Sequence, residues 1–252
     1  MPLNVEMVRA AFPGRRIVWL DVCSSTMREA SRLAAEGAPS GAAVVCEEQT
    51  AGQGRHGRVW RSERASGLYV SVVLRPGLPE ASAPLLTLAL GLAAGEAIAR
   101  ASGLGCDLRW PNDVLIGGKK CAGILVQAQG PAFIAGIGIN VNHAAFPPEL
   151  APLATSLRLA SGRPHSRELL LVGLLRAVDS FTRMLAEGGP GPLLRAFAQA
   201  SSYARGKRVV AGDGESLVEG VTDGLDPSGF LYIRKDDGTR TLVLSGGLRP
   251  AE

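Results

Sequence analysis

Cysteine and histidine are scarce in this chain of 252 residues, which contains 4 Cys and 3 His. The cysteines are far apart and form no C-x-x-C pair, and the histidines form no group with metal-ligand spacing. We therefore expect neither a metal site built from protein ligands nor a disulfide framework. The N-terminus lacks the apolar core of a signal peptide, and the longest apolar run, Leu85 to Ala94, has about half the length that a bilayer requires. The expectation is a cytoplasmic protein without a membrane partner, in which this run is a buried helix.

The composition is that of a folded globular protein. Hydrophobic residues make up 46% of the chain, which is ample for the core of one large domain, or of a large and a small one. The 32 glycines and 16 prolines predict many tight turns, but their share is below that of disordered chains. A net charge of +4 favours anionic ligands and is too small to indicate a nucleic-acid-binding stripe.

A basic, glycine-rich segment, Gly52-Gln53-Gly54-Arg55-His56-Gly57-Arg58, follows an apolar run. Glycines let backbone N–H groups approach an anion, and guanidinium groups bind phosphate or carboxylate oxygens in pairs. The pattern also satisfies the G-x-G-x-x-G fingerprint of dinucleotide-binding folds. That interpretation requires an amphipathic helix directly afterwards, and residues 59–67 have no apolar stripe at helical spacing. The segment is therefore predicted to be an anion-binding loop between two strands.

The order of predicted helices and strands favours an α+β fold, a mixed sheet with packed helices. Strands are predicted at 17–22, 42–46, 68–74, 108–110, 114–116, 123–129 and 133–141, and helices at 84–100, 166–187 and 192–200. A further helix begins at Ser24-Ser25-Thr26, with Glu29 placed as in a capping box after Thr26, and ends at Gly37. Short alternating runs at 208–211, 216–222, 230–234 and 239–244 predict a small C-terminal β-barrel.

Several short motifs follow the basic segment in a fixed order. They are Arg109-Trp110-Pro111-Asn112-Asp113, then Lys120, then Gly123-Ile124-Leu125, and finally Gly136-Ile137-Gly138-Ile139-Asn140-Val141-Asn142. Together with Ser25-Thr26 and Gln49, this set resembles the biotin protein ligases in order and spacing. The resemblance implies a catalytic domain like that of class II aminoacyl-tRNA synthetases over residues 1–203 and an SH3-like domain over residues 204–252.

The resemblance also implies a reaction in two steps. The carboxylate of biotin attacks the α-phosphate of ATP to give biotinyl-5′-adenylate, and a lysine of a biotin carboxyl carrier protein then displaces AMP. Because two anions must meet in a partly dry site, fixed positive charge and N–H donors are needed around the phosphate. Mg²⁺ is expected with the nucleotide, since it binds phosphates while it keeps several waters.

The resemblance assigns roles to individual residues, although hydroxyl, amide and asparagine groups at these positions also suit caps and turns. The implied catalytic residues are Lys120, Arg55 and Asp113. The implied biotin-binding residues are Ser25, Thr26, Gln49, Gln53, Gly54, Arg55 and Lys120. The implied ATP- and adenylate-binding residues are Arg58, Trp60, Asn112 and Asn140. The sequence departs from many relatives at Met27, Gln53 and His56, which makes the basic segment less basic and changes one residue beside the Ser-Thr pair.

Two other functions are compatible with these residues. One is a lipoate–protein ligase or transferase of the same superfamily, and the other is a non-enzymatic module in which the basic segment binds nucleic acid or a phosphorylated partner. Fewer than thirty residues precede Thr26, too few for a helix-turn-helix as well as the first strand, so we expect a monofunctional ligase without nucleic-acid binding. Apolar sheet edges would allow a homodimer.

Overall fold

The computed structural model describes residues 2–212 and 217–251. A seven-stranded sheet forms the centre of the larger part. Its strands are β1 (Ile17–Cys23), β2 (Ala43–Gln49), β3 (Gly67–Leu74), β4 (Asp107–Arg109), β5 (Asp113–Ile116), β6 (Lys119–Gln129) and β7 (Ala132–Asn140). They are arranged in the order β1-β2-β3-β7-β6-β5-β4, in which only β1 and β2 are parallel neighbours. The predicted mixed sheet is therefore confirmed.

Helices cover both faces of this sheet. They are α1 (Val5–Ala10), α2 (Thr26–Ala35), α3 (Ala83–Ser102), α4 (Leu157–Ser161), α5 (Arg167–Gly188) and α6 (Pro190–Ala200). Apolar side chains of α2 pack with Val44, Val73 and Ile134 on one face, whereas α3 and α5 contribute to the main core on the other. The fold is α+β, as the sequence predicted.

Helix α3 is the one described helix whose length and apolar composition would suit a membrane span. Most of it is buried within the protein, from Leu85 to Ile98, because it is apolar almost all round and lies between the sheet and α5. A core helix passes the same test of length and composition, and burial of the run confirms the predicted buried helix.

A second, five-stranded antiparallel sheet follows. Its strands are β8 (Arg205–Gly212), β9 (Val218–Leu225), β10 (Leu231–Arg234), β11 (Arg240–Val243) and β12 (Gly247–Pro250), in the order β11-β10-β9-β8-β12. Its apolar residues share one core with the larger part, and the indole Nε1 of Trp110 donates a hydrogen bond to the carbonyl of Gly229 over 2.9 Å. The SH3-like description of this sheet stays a prediction. The start of the strand predicted at 216–222 and the turn before it lie partly outside the described residues.

Local details differ from the sequence-based expectations at a few places. The N-cap of α2 is Ser25, whose hydroxyl accepts a hydrogen bond from the Met27 amide, so the capping box predicted at Thr26 and Glu29 is wrong. Thr26 is the first helical residue, which leaves its side chain available for other contacts. Helices α1 and α4 and strand β12 were not predicted, because segments of four to six residues carry too little periodicity.

Candidate functional site

Eleven of the twelve predicted site residues line a single cavity of about 220 Å³ at one end of the large sheet. They are Ser25, Thr26, Gln49, Gln53, Gly54, Arg55, Arg58, Trp60, Asn112, Asp113 and Lys120. Asn140 is the exception and lies at a neighbouring cavity. Residues that are up to 95 positions apart in the sequence are therefore brought together, because the ends of β2, β5 and β6 and the segment before β3 meet here.

Glycines form the floor of the cavity on β6 and β7. A Cβ atom at Gly138 would lie 2.5 Å from the indole of Trp60, and one at Gly123 would lie 2.9 Å from the same ring. At Gly136, a Cβ would lie 2.6 Å from the sulfur of Met27. Gly136 and Gly138 are two residues apart on β7 and so point to the same face of the sheet. The repeated glycine thus reflects a close approach of Trp60 and Met27 to the backbone.

One end of the cavity carries uncharged hydrogen-bonding groups. The amide and the hydroxyl of Thr26 both donate to Gln49 Oε1, over 2.8 and 3.1 Å, and the hydroxyl of Ser71 donates to Thr26 Oγ1 over 2.8 Å. Gln49 Nε2 donates to the hydroxyl of Ser62 over 3.1 Å. Thr26 and Ser71 are buried, so the amide and hydroxyl groups of this network are preorganised and would suit a neutral polar ring.

The other end is charged. Lys120 Nζ lies 2.5 Å from Asp113 Oδ1, and Arg109 Nη2 lies 2.8 Å from Asp113 Oδ2. Burial opposes the ionised form of Asp113, but the charges and hydrogen bonds of Lys120 and Arg109 outweigh it and hold the pKa of this carboxyl below its usual range. Asp113 is therefore ionised at neutral pH.

Residues 52–60, which begin with the basic segment, form a hairpin-like element beside the cavity that we call the cover. Gly54 N donates to the carbonyl of Arg58 over 2.7 Å, and Trp60 N donates to the carbonyl of Gly52 over 3.0 Å. His56 adopts a left-handed conformation with φ of 56°, which reverses the chain at the tip. This confirms the loop between two strands and excludes the crossover helix of a dinucleotide-binding fold.

Arg55 connects this cover to two distant parts of the chain. Its Nη1 atom donates to Asn112 Oδ1 and to the carbonyl of Gly246, each over 3.3 Å. Asn112 is held in turn because its Nδ2 donates to the carbonyl of Ile124 over 3.0 Å. Gly246, which lies between β11 and β12 of the second sheet, is therefore part of the cavity wall.

A second, larger cavity of about 580 Å³ adjoins the first and shares Trp60 and Lys120 with it. Asn140 lies here, with its Nδ2 donating to the carbonyl of Thr155 over 3.1 Å. The rings of His143 and Phe146 stack with centroids 5.3 Å apart, and burial lowers the pKa of His143, so the imidazole is neutral at pH 7. The lining is mostly apolar, which suits a planar ring.

Comparison with known proteins agrees with this geometry. A model of the biotin/lipoate A/B protein ligase family matches residues 19–143. The biotin--[acetyl-CoA-carboxylase] ligase of Mycobacterium tuberculosis is 35% identical over 98% of this chain and 94% of its own length. The bifunctional ligase/repressor BirA of Bacillus spizizenii is 36% identical over 91% of this chain and 72% of its own length. The chain belongs to the biotin/lipoate A/B protein ligase family.

A solved structure from this family has the same architecture. The biotin protein ligase from Aquifex aeolicus in complex with biotin and ATP superposes with a TM-score of 0.83 at 31% identity, over 94% of this chain and 99% of that chain. The similarity extends over nearly all of both chains. It therefore includes the second sheet as well as the segment that the family model matches.

The structure adds site residues that the sequence analysis did not include. Arg109 belongs to the motif that contains Asp113 but was not assigned a role. Its charge is opposite to that of Asp113 and lies four residues earlier, across a tight hairpin, and this was the signal that could have identified it. Tyr69 also lines the first cavity, and so does the segment Gly246–Leu248. No local pattern indicates Gly246, because its contact with Arg55 joins residues 191 positions apart.

Within residues 2–212 and 217–251, no group of three or more His, Cys, Asp or Glu side chains is arranged to hold a metal ion. The carboxylate of Asp113 is engaged by Lys120 and Arg109. The described residues around the cavity thus do not form a dedicated site for Mg²⁺, which would have to bind chiefly through the nucleotide phosphates and water.

Proposed function

We propose that this chain is an ATP-dependent biotin–protein ligase that joins biotin to a lysine of a biotin carboxyl carrier protein through biotinyl-5′-adenylate. The observation that carries the proposal is one cavity with a neutral polar end at Thr26 and Gln49 and a cationic end at Lys120 and Arg55. The similarity to the biotin--[acetyl-CoA-carboxylase] ligase of Mycobacterium tuberculosis and to the biotin protein ligase from Aquifex aeolicus supports the same reaction.

The neutral end distinguishes biotin from lipoate. The ureido ring of biotin has N–H donors and a carbonyl acceptor, which would match the amide and hydroxyl groups of Thr26, Gln49 and Ser71. The disulfide ring of lipoate has no N–H or O–H group and would leave these buried polar groups without new partners, at a cost in affinity. The geometry therefore favours biotin over lipoate.

In the first step, an oxygen of the biotin carboxylate bonds to the α-phosphorus of ATP, and the bond to pyrophosphate breaks. Lys120 and Arg55 would supply fixed positive charge where the carboxylate and the phosphate meet. Mg²⁺, when bound with ATP, neutralises phosphate charge. The second cavity, with Asn140, His143 and Phe146, is the place that we propose for the nucleoside, and Trp60 separates it from the biotin end.

In the second step, the amine nitrogen of the acceptor lysine bonds to the acyl carbon, and the bond from that carbon to the phosphate oxygen breaks, so that AMP leaves. The nitrogen must also lose a proton. Asp113 is the carboxylate nearest to Lys120 in this cavity and would orient the incoming ammonium group or accept its proton. Arg55 on the cover would retain the adenylate until the acceptor arrives.

We further propose a domain boundary near residue 204, a cytoplasmic location, a homodimer as the assembly and no nucleic-acid partner. The start of β8 at Arg205 supports the boundary. The edge position of β1 in the large sheet, with Val22 exposed, supports pairing between copies. Light scattering tests the dimer, and a salt-dependent binding assay with DNA tests the last point.

The test is biotin-dependent exchange of pyrophosphate into ATP, with lipoate in place of biotin as the control substrate. We expect pyrophosphate exchange with biotin and none with lipoate. When a carrier domain is added, we expect transfer of biotin to it. Replacement Lys120→Ala should lower the exchange rate by about 10²- to 10³-fold, because a donor to the reacting phosphate is lost. Lys119→Ala is the matched control, since Lys119 is exposed and donates to the carbonyl of Ala151. Exchange with lipoate but not biotin, or full activity of Lys120→Ala, would contradict the proposal.

A further inference from the structure

Arg109 is a second cationic partner of the carboxylate that holds Lys120. It lies directly opposite Asp113 in the antiparallel pair of β4 and β5, and it binds Oδ2 while Lys120 binds Oδ1. Asp113 is 16% exposed, Arg109 22% and Lys120 31%. One largely buried carboxylate is therefore shared by two cations.

The two cations differ in how firmly they are held. Asp113 begins β5, and its backbone is fixed by pairing with Arg109 on one side and Gly123 on the other. Lys120 reaches Asp113 from β6 through a flexible four-carbon stem, and its ammonium group also lies 5.5 Å from the centre of the Trp60 ring, towards the reaction site. Lys120 is thus the partner that can turn to a substrate, whereas Arg109 is the partner that stays.

The departure of Lys120 has an electrostatic cost. When its ammonium group moves to an anionic substrate, Asp113 loses one counter-charge but remains largely buried. A buried carboxylate without a charged partner favours its protonated form. A guanidinium group does not lose its proton in proteins, so Arg109 provides a permanent counter-charge.

We infer that Arg109 is a positioning residue that keeps Asp113 ionised while Lys120 is transferred to the substrate, and this inference rests on the proposed function. Arg109 acts through Asp113 and does not itself contact the reacting atoms. Without it, the transfer of Lys120 must be accompanied by uptake of one proton from solvent onto Asp113. The complex would then contain one proton more than the free protein and ligand, so affinity would fall as the pH rises.

The other charged groups around Asp113 do not change this expectation. Tyr69 from β3 also lines the cavity, and burial raises the pKa of its phenol, which therefore stays uncharged at neutral and mildly alkaline pH. Besides Lys120 from β6 and Arg109 from β4, the other described charged or titratable side chains that line the cavity are Arg55, His56 and Arg58, all on the cover. These three residues are unchanged when Arg109 is replaced. Their contribution to the proton count is therefore the same in the wild type and the variant.

The experiment is calorimetric titration of the full chain with a hydrolysis-resistant analogue of biotinyl-5′-adenylate. Two buffers of different ionisation enthalpy, at about pH 6.5 and about pH 8.5, give the number of protons bound with the ligand. We expect Arg109→Met to take up about one proton more than the wild type, and its relative affinity to fall by up to about tenfold per pH unit. Arg109→Lys should behave like the wild type, because the charge is restored.

Two controls isolate the effect. Arg100→Met removes an exposed Arg–Glu96 pair with the same i,i+4 spacing and should leave proton uptake unchanged. Arg109→Met combined with Asp113→Asn removes the group that titrates, so the extra proton should disappear. Arg109→Gln replaces Arg109→Met if the latter does not fold, and the same proton count is expected for it.

The outcomes separate this inference from the proposed function. Equal proton uptake by the wild type and Arg109→Met, or an extra proton that persists after Asp113→Asn, would reject the role of Arg109 alone. A wild-type protein that neither binds the analogue nor catalyses biotin-dependent pyrophosphate exchange would reject the proposed function, and the inference with it.

Discussion

The floor and the cover of the first cavity are stabilised in different ways. The floor consists of β6 and β7, which pair along eight consecutive positions and contribute Ile124, Ile137 and Ile139 to the main core. The cover consists of residues 52–60, of which Gly52 alone is buried. Within this segment it is held by three backbone hydrogen bonds, one of them joining its ends at Trp60 and Gly52, and beyond it by the contacts of Arg55.

This difference indicates that the floor and the cover can have separate tasks, with reacting groups on the floor and the entry and retention of ligands controlled by the cover. A strand packed on both sides has a high cost of opening, whereas a segment with few buried contacts opens at low cost. The floor can therefore hold the backbone of Lys120 in a fixed position, from which its flexible side chain reaches Asp113 or a substrate, and the cover can open for two substrates and close over the adenylate. The rigidity of the floor and the opening of the cover can each be changed by a separate substitution.

The largest expected effect concerns a buried ion pair that joins α5 to β2, in the same sheet as the floor. Arg167 is 5% exposed and Glu47 1%, and the guanidinium binds the carboxylate over 2.9 and 3.1 Å and the carbonyl of Gly67, where β3 begins, over 3.2 Å. Arg167→Met should lower the free energy of unfolding by about 3–5 kcal/mol, because Glu47 is left buried without its cation. Denaturant unfolding measures this. Arg100→Met, which breaks an exposed pair, should cause little change, and an equally small loss in both variants would contradict the prediction.

The same pair predicts a dependence on pH. Burial opposes ionisation of Glu47, but hydrogen bonds from Arg167 and the Leu3 amide lower its pKa. The stabilisation is therefore present above the usual glutamate pKa of about 4.3 and is lost as the pH falls through the lower value in the folded protein. Glu47→Gln should reduce the loss of stability on acidification, as measured by thermal unfolding between about pH 7 and about pH 3.

A medium effect is expected where the floor touches the cover. Gly138→Ala would place a methyl group 2.5 Å from the Trp60 ring, so the indole must move out of its position over β7. We expect a loss of about 1–3 kcal/mol in unfolding free energy, together with a reduced rate of biotin-dependent pyrophosphate exchange and a changed Trp emission. Gly91→Ala in α3 is the matched control, because no atom lies within 4 Å of the added methyl group. If the Gly138 variant retained both stability and exchange rate, the close packing of Trp60 would be unimportant.

The sequence predicts the floor better than the cover, for a physical reason. Apolar runs and the two-residue Gly117-Gly118 turn are local signals, and they placed β5 and β7 close to their observed bounds, whereas the predicted start of β6 at residue 123 lies after its observed start at Lys119. The close approach of Trp60 and Met27 to the repeated glycines of β7 was not predicted, although a glycine inside a strand often marks such a contact. The pairing of β3 with β7 and the contact of Arg55 with Gly246 depend on the whole fold, and no short pattern contains them.

Most individual site residues came from the family resemblance rather than from periodicity. Residue type alone predicted that Thr26 caps a helix. In the structure Ser25 is the cap, and Thr26 donates two hydrogen bonds to Gln49. Asn140 is grouped with Asn112 in the sequence analysis, yet the two asparagines lie at different cavities. A motif thus predicts which residues take part, and only the fold determines which of them face each other.

The smallest expected effect concerns the cover itself. Arg55→Met removes two hydrogen bonds of 3.3 Å that one Nη1 atom donates to Asn112 and Gly246, and we expect this shared pair to be worth about 0.5–1.5 kcal/mol in total. Amide exchange at Gly54 and Trp60 should therefore become about 2- to 10-fold faster in the variant, while amides of β7 keep their rates. Arg61→Met is the control, because Arg61 makes an exposed ion pair with Glu149 beside the cover.

Ligand binding completes this test of the cover. In the wild type, a hydrolysis-resistant analogue of biotinyl-5′-adenylate should slow exchange across residues 52–60, because Arg55 gains an anionic partner and the segment closes. In Arg55→Met the slowing should be weaker, and preformed biotinyl-5′-adenylate should escape faster. If exchange across residues 52–60 were equally slow with and without the analogue, the cover would be as rigid as the floor. Retention of the adenylate would then depend on groups carried by the floor, chiefly the ammonium group of Lys120.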